Sequence, residues 1–159
     1  MRRSIIITSL ALLATYGIAE AKSIRWWLAE RPLELFGGPD EPEADYELRI
    51  TCLPGKAVEI GVGAYTDLGK GKGEPLAVTL QSGTRSVSLS GASKPSKNFE
   101  MTGAHELRAR LKPDQQYRDL LAVLTSSAPI KVSGAMRAEW SVRGLQKKAA
   151  HFAEYCGGN

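Results

Sequence analysis

The residues of this 159-residue chain best able to do chemistry are two cysteines, two histidines, a pair of adjacent tryptophans and two glycine-rich stretches. Cys52 and Cys156 are the only cysteines. An even pair in a domain that leaves the cytoplasm points to a disulfide. Joining residues so far apart would close a loop of roughly a hundred residues, worth about 4–5 kcal/mol on the chain-entropy account. There is no C-x-x-C, so a thioredoxin-like redox role has no support. His105 and His151 stand far apart, with no H-x-x-x-H and no paired cysteines nearby. A metal site needs clustered ligands at fixed spacing, and none is expected. Both histidines read as solvated polar residues.

The remaining motifs also fall short of catalytic machinery. Gly61-Val62-Gly63 begins like a dinucleotide fingerprint, but Thr66 stands where the third glycine belongs. Gly69-Lys70-Gly71 resembles the end of a phosphate-binding loop, yet Gly71 replaces the serine or threonine that would bind magnesium. Gly69–Gly73 therefore reads as a flexible hairpin loop carrying two lysines. A G-x-S-x-G elbow is absent. The acids Asp40, Glu41, Glu43 and Asp45 crowd one loop instead of facing a cleft as a glycosidase pair would. No catalytic, cofactor-binding or metal-ligating residue is expected. Trp26 and Trp27 are the best candidates for contact with a partner, because neighbouring side chains point to opposite faces on a strand and lie ~100° apart on a helix, and either way one indole is left at or near the surface.

The elements that position these residues follow from periodicity. Tyr46, Leu48, Ile50 and Cys52 alternate with Glu47, Arg49 and Thr51. Val58, Ile60, Val62 and Ala64, then Leu76, Val78 and Leu80, then Val87 and Leu89 repeat the pattern. Period-2 alternation predicts half-buried antiparallel strands. Leu53-Pro54-Gly55, Gly69–Gly73, Ser82-Gly83 and Gly91–Lys97 supply turn chemistry between them. Phe99–Met101 and Leu107–Leu111 are expected as further strands, with a helix the alternative for the latter. Pro113-Asp114 starts a helix whose Tyr117, Leu120, Leu121 and Leu124 share one face. Ile130–Val132 and Ala138–Val142 are short strands. A last helix over Leu145–Tyr155 carries Leu145, Ala149, Phe152 and Cys156 on one stripe, stopped by Gly157-Gly158. The expected fold is mainly β (α+β): an antiparallel sheet or small β-sandwich with two late helices, the C-terminal one tethered by the disulfide.

Met1-Arg2-Arg3, the apolar stretch Ile5–Ile18 and Ala19-Glu20-Ala21 have the three parts of a secretory signal peptide. The apolar stretch is shorter than the ~20 residues that cross a bilayer. The expected organisation is a leader over 1–21, an N-terminal segment and acidic linker over 22–45, and one β-rich domain over 46–159, with the mature chain starting at Lys22 and having no stable membrane span. Composition is that of an ordinary globular protein, 43% hydrophobic and 24% charged. The net charge of +4 is mild, and basic residues are scattered among acidic ones, so nucleic acid is not an expected partner.

The C-terminal third adds a resemblance. Tyr117-Arg118-Asp119-Leu120-Leu121, then Ile130-Lys131-Val132, then Glu139-Trp140-Ser141-Val142-Arg143-Gly144-Leu145 and a helix ending in Cys156 resemble small exported bacterial domains of the invasion-associated locus B type. The tryptophan-to-cysteine strand of that type is not matched, since Tyr46 and Cys52 stand at a different spacing. The resemblance implies an exported, non-enzymatic, disulfide-linked β-rich domain and transfers no functional residue. Together these readings lead to a periplasmic or secreted binding or accessory protein of the bacterial envelope, its partner another envelope protein or an envelope component. The alternative is a small envelope hydrolase whose site is assembled in three dimensions.

Overall fold

The computed structural model describes residues 23–40 and 45–157; the predicted leader and the middle of the acidic linker lie outside the described residues. Nine strands form one antiparallel sheet: β1 (Arg25–Glu30), β2 (Leu33–Gly38), β3 (Leu48–Cys52), β4 (Val58–Val62), β5 (Pro75–Ser82), β6 (Arg85–Pro95), β7 (His105–Leu111), β8 (Ile130–Gly134) and β9 (Ala138–Trp140). Their spatial order is β1-β2-β3-β4-β7-β6-β5-β8-β9. Among the described residues three α-helices accompany them: α1 (Phe99–Thr102), α2 (Gln115–Leu124) and α3 (Leu145–Phe152), the last running into a single π-type turn at Ala153–Gly157. The fold is thus mainly β, a single curled sheet rather than a sandwich, with a C-terminal helix.

The alternation read in the sequence sorts side chains between two faces. Trp26, Leu35, Leu48, Ile50, Val58, Ile60, Leu107, Val78, Leu80, Leu89 and Ile130 all bury on the inner face. α2 covers it with Tyr117, Leu120, Val123 and Leu124, and α3 with Leu145, Ala149 and Phe152. Each such side chain taken fully from water contributes about 1.5–3 kcal/mol before conformational entropy is counted. α2 begins where Pro113-Asp114 predicts, with the Asp114 carboxylate accepting from the Tyr117 amide at 3.3 Å. Burial lifts the Tyr117 phenol to about 12. Cys52, at the end of β3, is bonded to Cys156 with Cα atoms 5.7 Å apart, which ties the tail of α3 to the sheet.

Three segments differ from the sequence reading. Residues 25–38, set apart as an N-terminal segment, form the β1–β2 hairpin and enter the same sheet as the rest. Phe99–Met101 is the short helix α1, not a strand. Gly91 does not end β6, which continues to Pro95. At Gly91 a Cβ would lie 2.1 Å from the Arg108 carbonyl oxygen, so only glycine lets the two backbones approach this closely. β6 pairs with β5 up to Ala92 but with β7 only over Ala92–Pro95. Across the remaining edge α2 packs against β6, and the Gln116 amide donates to the Ser88 carbonyl at 2.6 Å. The curl brings the two ends of the sheet together: Trp26 Nε1, on β1, donates to the carbonyl of Ser141, just after β9, at 2.8 Å.

Both cysteines of the folded chain are expected to resist alkylation until a reductant is added. Cys156→Ser is expected to lower the unfolding free energy by about 2–5 kcal/mol, the usual loss on removing a native disulfide, read from urea denaturation without reductant.

Candidate functional site: the outer face of the sheet

The strand register aligns Trp27, Phe36, Arg49, Gly61 and Arg108 in one row across the outer face, and Ala29, Glu34, Thr51, Glu59 and Arg110 in the next. Outward charged positions on a sheet are ordinarily solvated. Here several are buried. The Arg49 guanidinium faces three carboxylates: Nη1 lies 3.3 Å from Glu34, and Nη2 lies 3.3 Å from Glu59 and 3.4 Å from Glu106. Nη1 also donates to the Thr51 hydroxyl at 2.7 Å, and that hydroxyl donates to Glu34 at 2.7 Å. Glu106 is completely buried. Its Oε1 accepts from Arg108 Nε at 2.8 Å and its Oε2 from the Tyr46 hydroxyl at 2.5 Å. The Tyr46 ring in turn lies beneath the Arg49 guanidinium, 5.3 Å away. Gly61 makes the space: a Cβ there would fall 2.3 Å from Glu106 Oε2.

A strap over Ser96–Ala104, containing α1, closes this cluster from above. Its neck is sealed by the Ser96 amide donating to the Ala104 carbonyl at 2.9 Å. Lys97 Nζ reaches Glu34 Oε2 at 2.9 Å, and the Lys97 amide donates to the Tyr46 hydroxyl at 3.3 Å. Ser96 and Thr102 hydroxyls both donate to Asp45 Oδ2, at 2.7 and 2.9 Å. The electrostatics follow from this packing. Burial pushes the Glu34 carboxyl up, but its hydrogen bonds from Lys97 and Thr51 and the charges of Lys97 and Arg49 outweigh that, and the net displacement is downward. Burial, and then the charge of Glu106, push the Tyr46 phenol above its ordinary range. Burial works against the charged form of Arg49, yet Tyr46, Glu106 and Glu34 hold the proton on it more firmly than in water. Both oxygens of Glu106 are committed to donors, so the cluster's role is to shape and stiffen this face.

The accessible part of the face lies at its β1–β2 end. Trp27 stacks on Phe36 with ring centroids 5.4 Å apart and planes 16° from parallel. The Arg25 guanidinium sits 6.0 Å from the Trp27 ring and is itself paired with Asp40 at 2.6 Å. Trp27 and Phe36 are half-buried, and Arg25 and Asp40 are exposed. Trp26 points the other way. It is only 3% exposed and belongs to the core, which removes it from the candidate contact. Its ring lies over Gly37, where a Cβ would come within 2.5 Å of it. The split between the two indoles is the one strand geometry requires.

The structure does not bring the histidines together. His105 opens β7, with Nδ1 2.9 Å from Asp67 Oδ1 and its amide donating to the same oxygen at 2.8 Å. Those bonds, from the imidazole first, hold the Asp67 carboxyl below its ordinary range. Half-buried and partnered, His105 is not the free solvated residue its neighbourhood in the sequence suggests. His151 lies on α3 against Tyr155, ring centroids 4.7 Å apart, beside an open groove of about 310 Å³ lined also by Glu30, Arg31 and Leu33. Among the described residues no group of three His, Cys, Asp or Glu side chains is placed to hold a metal ion. Sequence reasoning missed the Arg49 cluster. Its one visible trace is the concentration of charged residues at outward positions of β2, β3, β4 and β7, a pattern that a solvated face shares. Comparison with protein-family models, curated proteins and solved structures finds no match to this chain.

Gly61→Ala is expected to cost about 1–3 kcal/mol in a urea titration, as overpacking does. Glu106→Ala, which removes the buried partner of Arg49, Arg108 and Tyr46, is expected to cost about 3–5 kcal/mol. A group held below its ordinary range stabilises the fold above the unfolded carboxyl value of about 4.3 and loses that contribution as pH falls through its lower folded value. The Glu34 contribution should therefore be present at pH 6 and disappear on acidification, and Lys97→Ala should flatten that part of the stability–pH curve.

Proposed function

We propose that this chain is a small exported binding or accessory protein of the bacterial envelope, periplasmic or secreted. It engages another envelope protein or an envelope component through the Trp27–Phe36 ledge and Arg25. The observation that carries this reading is the outward, half-buried Trp27. It stands on a strand hairpin made rigid by the sheet, beside a second aromatic ring and a guanidinium. Tryptophan and arginine are the residues most enriched at the centres of protein interfaces, where truncation typically costs 2 kcal/mol or more, a figure that is roughly general. The leader read in the sequence and the resemblance to exported domains of the invasion-associated locus B type support the location. The Cys52–Cys156 disulfide suits an oxidising compartment. No helix among the described residues is long and apolar enough to cross a membrane.

The hydrolase alternative has one observation in its favour, the orientation of His105 by Asp67 at 2.9 Å. The Ser93 hydroxyl, packed under the same loop, already donates its proton to the Leu68 carbonyl at 3.0 Å. That commitment weighs against its use as a nucleophile.

Single alanine variants separate contact from core. Trp26→Ala is expected to destabilise the protein by about 3–5 kcal/mol. Trp27→Ala is expected to leave the thermal midpoint within a few degrees of wild type while cross-linking of the exported protein to its envelope partner falls at least tenfold. Unchanged cross-linking by a folded Trp27→Ala variant would sink the contact role.

A further inference from the structure

The geometry points to Gly69–Gly73 as an oxyanion-binding cradle whose resident, displaceable occupant is the side chain of Glu74. Three glycines in this loop have left-handed φ angles: Gly69 at 85°, Gly71 at 68° and Gly73 at 82°. Alternating them with Lys70 and Lys72 turns every second amide toward one side, so that backbone N–H groups form an anion-binding concavity. The amides at Lys70 and Lys72 converge on one carboxylate. Lys70 N–H donates to Glu74 Oε1, and Lys72 N–H donates to Oε2 at 3.0 Å. The amides between and beyond them are used differently and fix the loop. Gly71 N–H donates to the Ser93 hydroxyl at 2.8 Å, and Gly73 N–H donates to the Ser93 carbonyl at 3.1 Å. The cradle is thus anchored to β6 independently of its occupant. A Cβ on Gly69 would lie 2.7 Å from Glu74 Oε1, so the anion's seat itself requires glycine there.

The charges around the seat favour an anion beyond the one present. Lys70, Lys72 and Lys94 are all exposed, and none forms an ion pair among the described residues. The Lys94 ammonium lies 3.8 Å from where a Cβ on Gly73 would stand. The nearby acid Asp67 is turned to His105. Three lysines therefore belong to this loop and the adjoining end of β6, and the Glu74 carboxyl, held first by its own amide and then by those of Lys70 and Lys72, sits below its ordinary range. The ligand class is an oxyanion, a carboxylate or phosphate group able to accept two backbone N–H bonds on two oxygens. Glu74 competes from within the loop at an effective concentration on the order of millimolar, so an external anion binds the native loop weakly and the vacated loop well.

The test uses the full mature chain, isotopically labelled, with the Lys70 and Lys72 amide resonances as the readout. Inorganic phosphate and, separately, acetate are titrated at neutral pH against sodium chloride of equal ionic strength. In Glu74→Ala both amides are expected to shift saturably with phosphate or acetate but not with chloride, at least tenfold more tightly than in wild type. Whichever of the two binds better identifies the preferred oxyanion. Adding Lys70→Ala and Lys72→Ala to that variant should weaken binding several-fold. Non-saturating shifts, or equal affinity in wild type and Glu74→Ala, would overturn the proposal. If Glu74→Ala instead loses the loop's amide resonances, their return on adding phosphate or acetate, with none on adding chloride, supports it. Failure of either anion to restore them counts against it.

Discussion

A carboxylate with no exposed surface must meet a donor or a cation in every direction around it, and Glu106 imposes that requirement on four strands and the strap. Arg108 meets it from the same strand, Arg49 from β3 and Tyr46 from the turn before β3. Gly61 on β4 leaves the room. Arg49 in turn needs Glu34 on β2 and Glu59 on β4, and Glu34 needs Lys97 on the strap. The taking of charges out of water is costly, and their mutual attraction offsets it only when geometry and hydrogen bonding are complete. The cluster therefore acts less as a source of net stability than as a set of conditions that a mispaired register would violate. A one-residue slip of β3 would send Arg49 into the apolar face and Ile50 out of it.

The inner face of the sheet and one part of its outer face are covered, by different means. The inner face is closed by α2 and α3 through ordinary apolar packing, with the Cys52–Cys156 bond holding the end of α3 in place. The outer face is closed over β2, β3, β4 and β7 by ion pairs and by the strap. The outward serines of β6 and Lys131 of β8 stay in solvent, and two further places lie beyond the reach of either cover: the Trp27–Phe36 ledge at one end and the lysine-rich glycine loop between β4 and β5. Each has an internal group on it. Arg25, tied to Asp40, caps the Trp27 ring, and Glu74 fills the loop's amides. Satisfied in this way, both surfaces remain compatible with a folded protein that has no partner, while keeping the chemistry a partner would use.

The period-2 alternation is enough to place β3, β4, β5 and the first half of β6, because which face a strand residue takes is a local property of extended backbone, whereas for β7 it leaves a helix open. Proline followed by aspartate and one apolar stripe placed α2. Trp26 and Trp27 part to opposite faces once the segment is a strand, and with only two cysteines in the chain Cys52–Cys156 is the one possible internal pairing. None of these depends on what lies elsewhere in the molecule. The strand order, the entry of β1 and β2 into the common sheet, the run of β6 past Gly91 and the folding of Phe99–Thr102 as a helix do depend on it, since each is decided by a neighbour distant in sequence: β3, the Arg108 carbonyl, Asp45. The same holds for the sites. Arg49, Glu34, Glu59 and Glu106 look like any solvated outward charges until the register and the strap remove water from them, and Glu74 looks like one more surface acid until the loop turns two amides onto it. Side-chain type and spacing determine which face a residue takes, whereas the loss of its water, and with it its charge environment, is set only when remote segments pack against it.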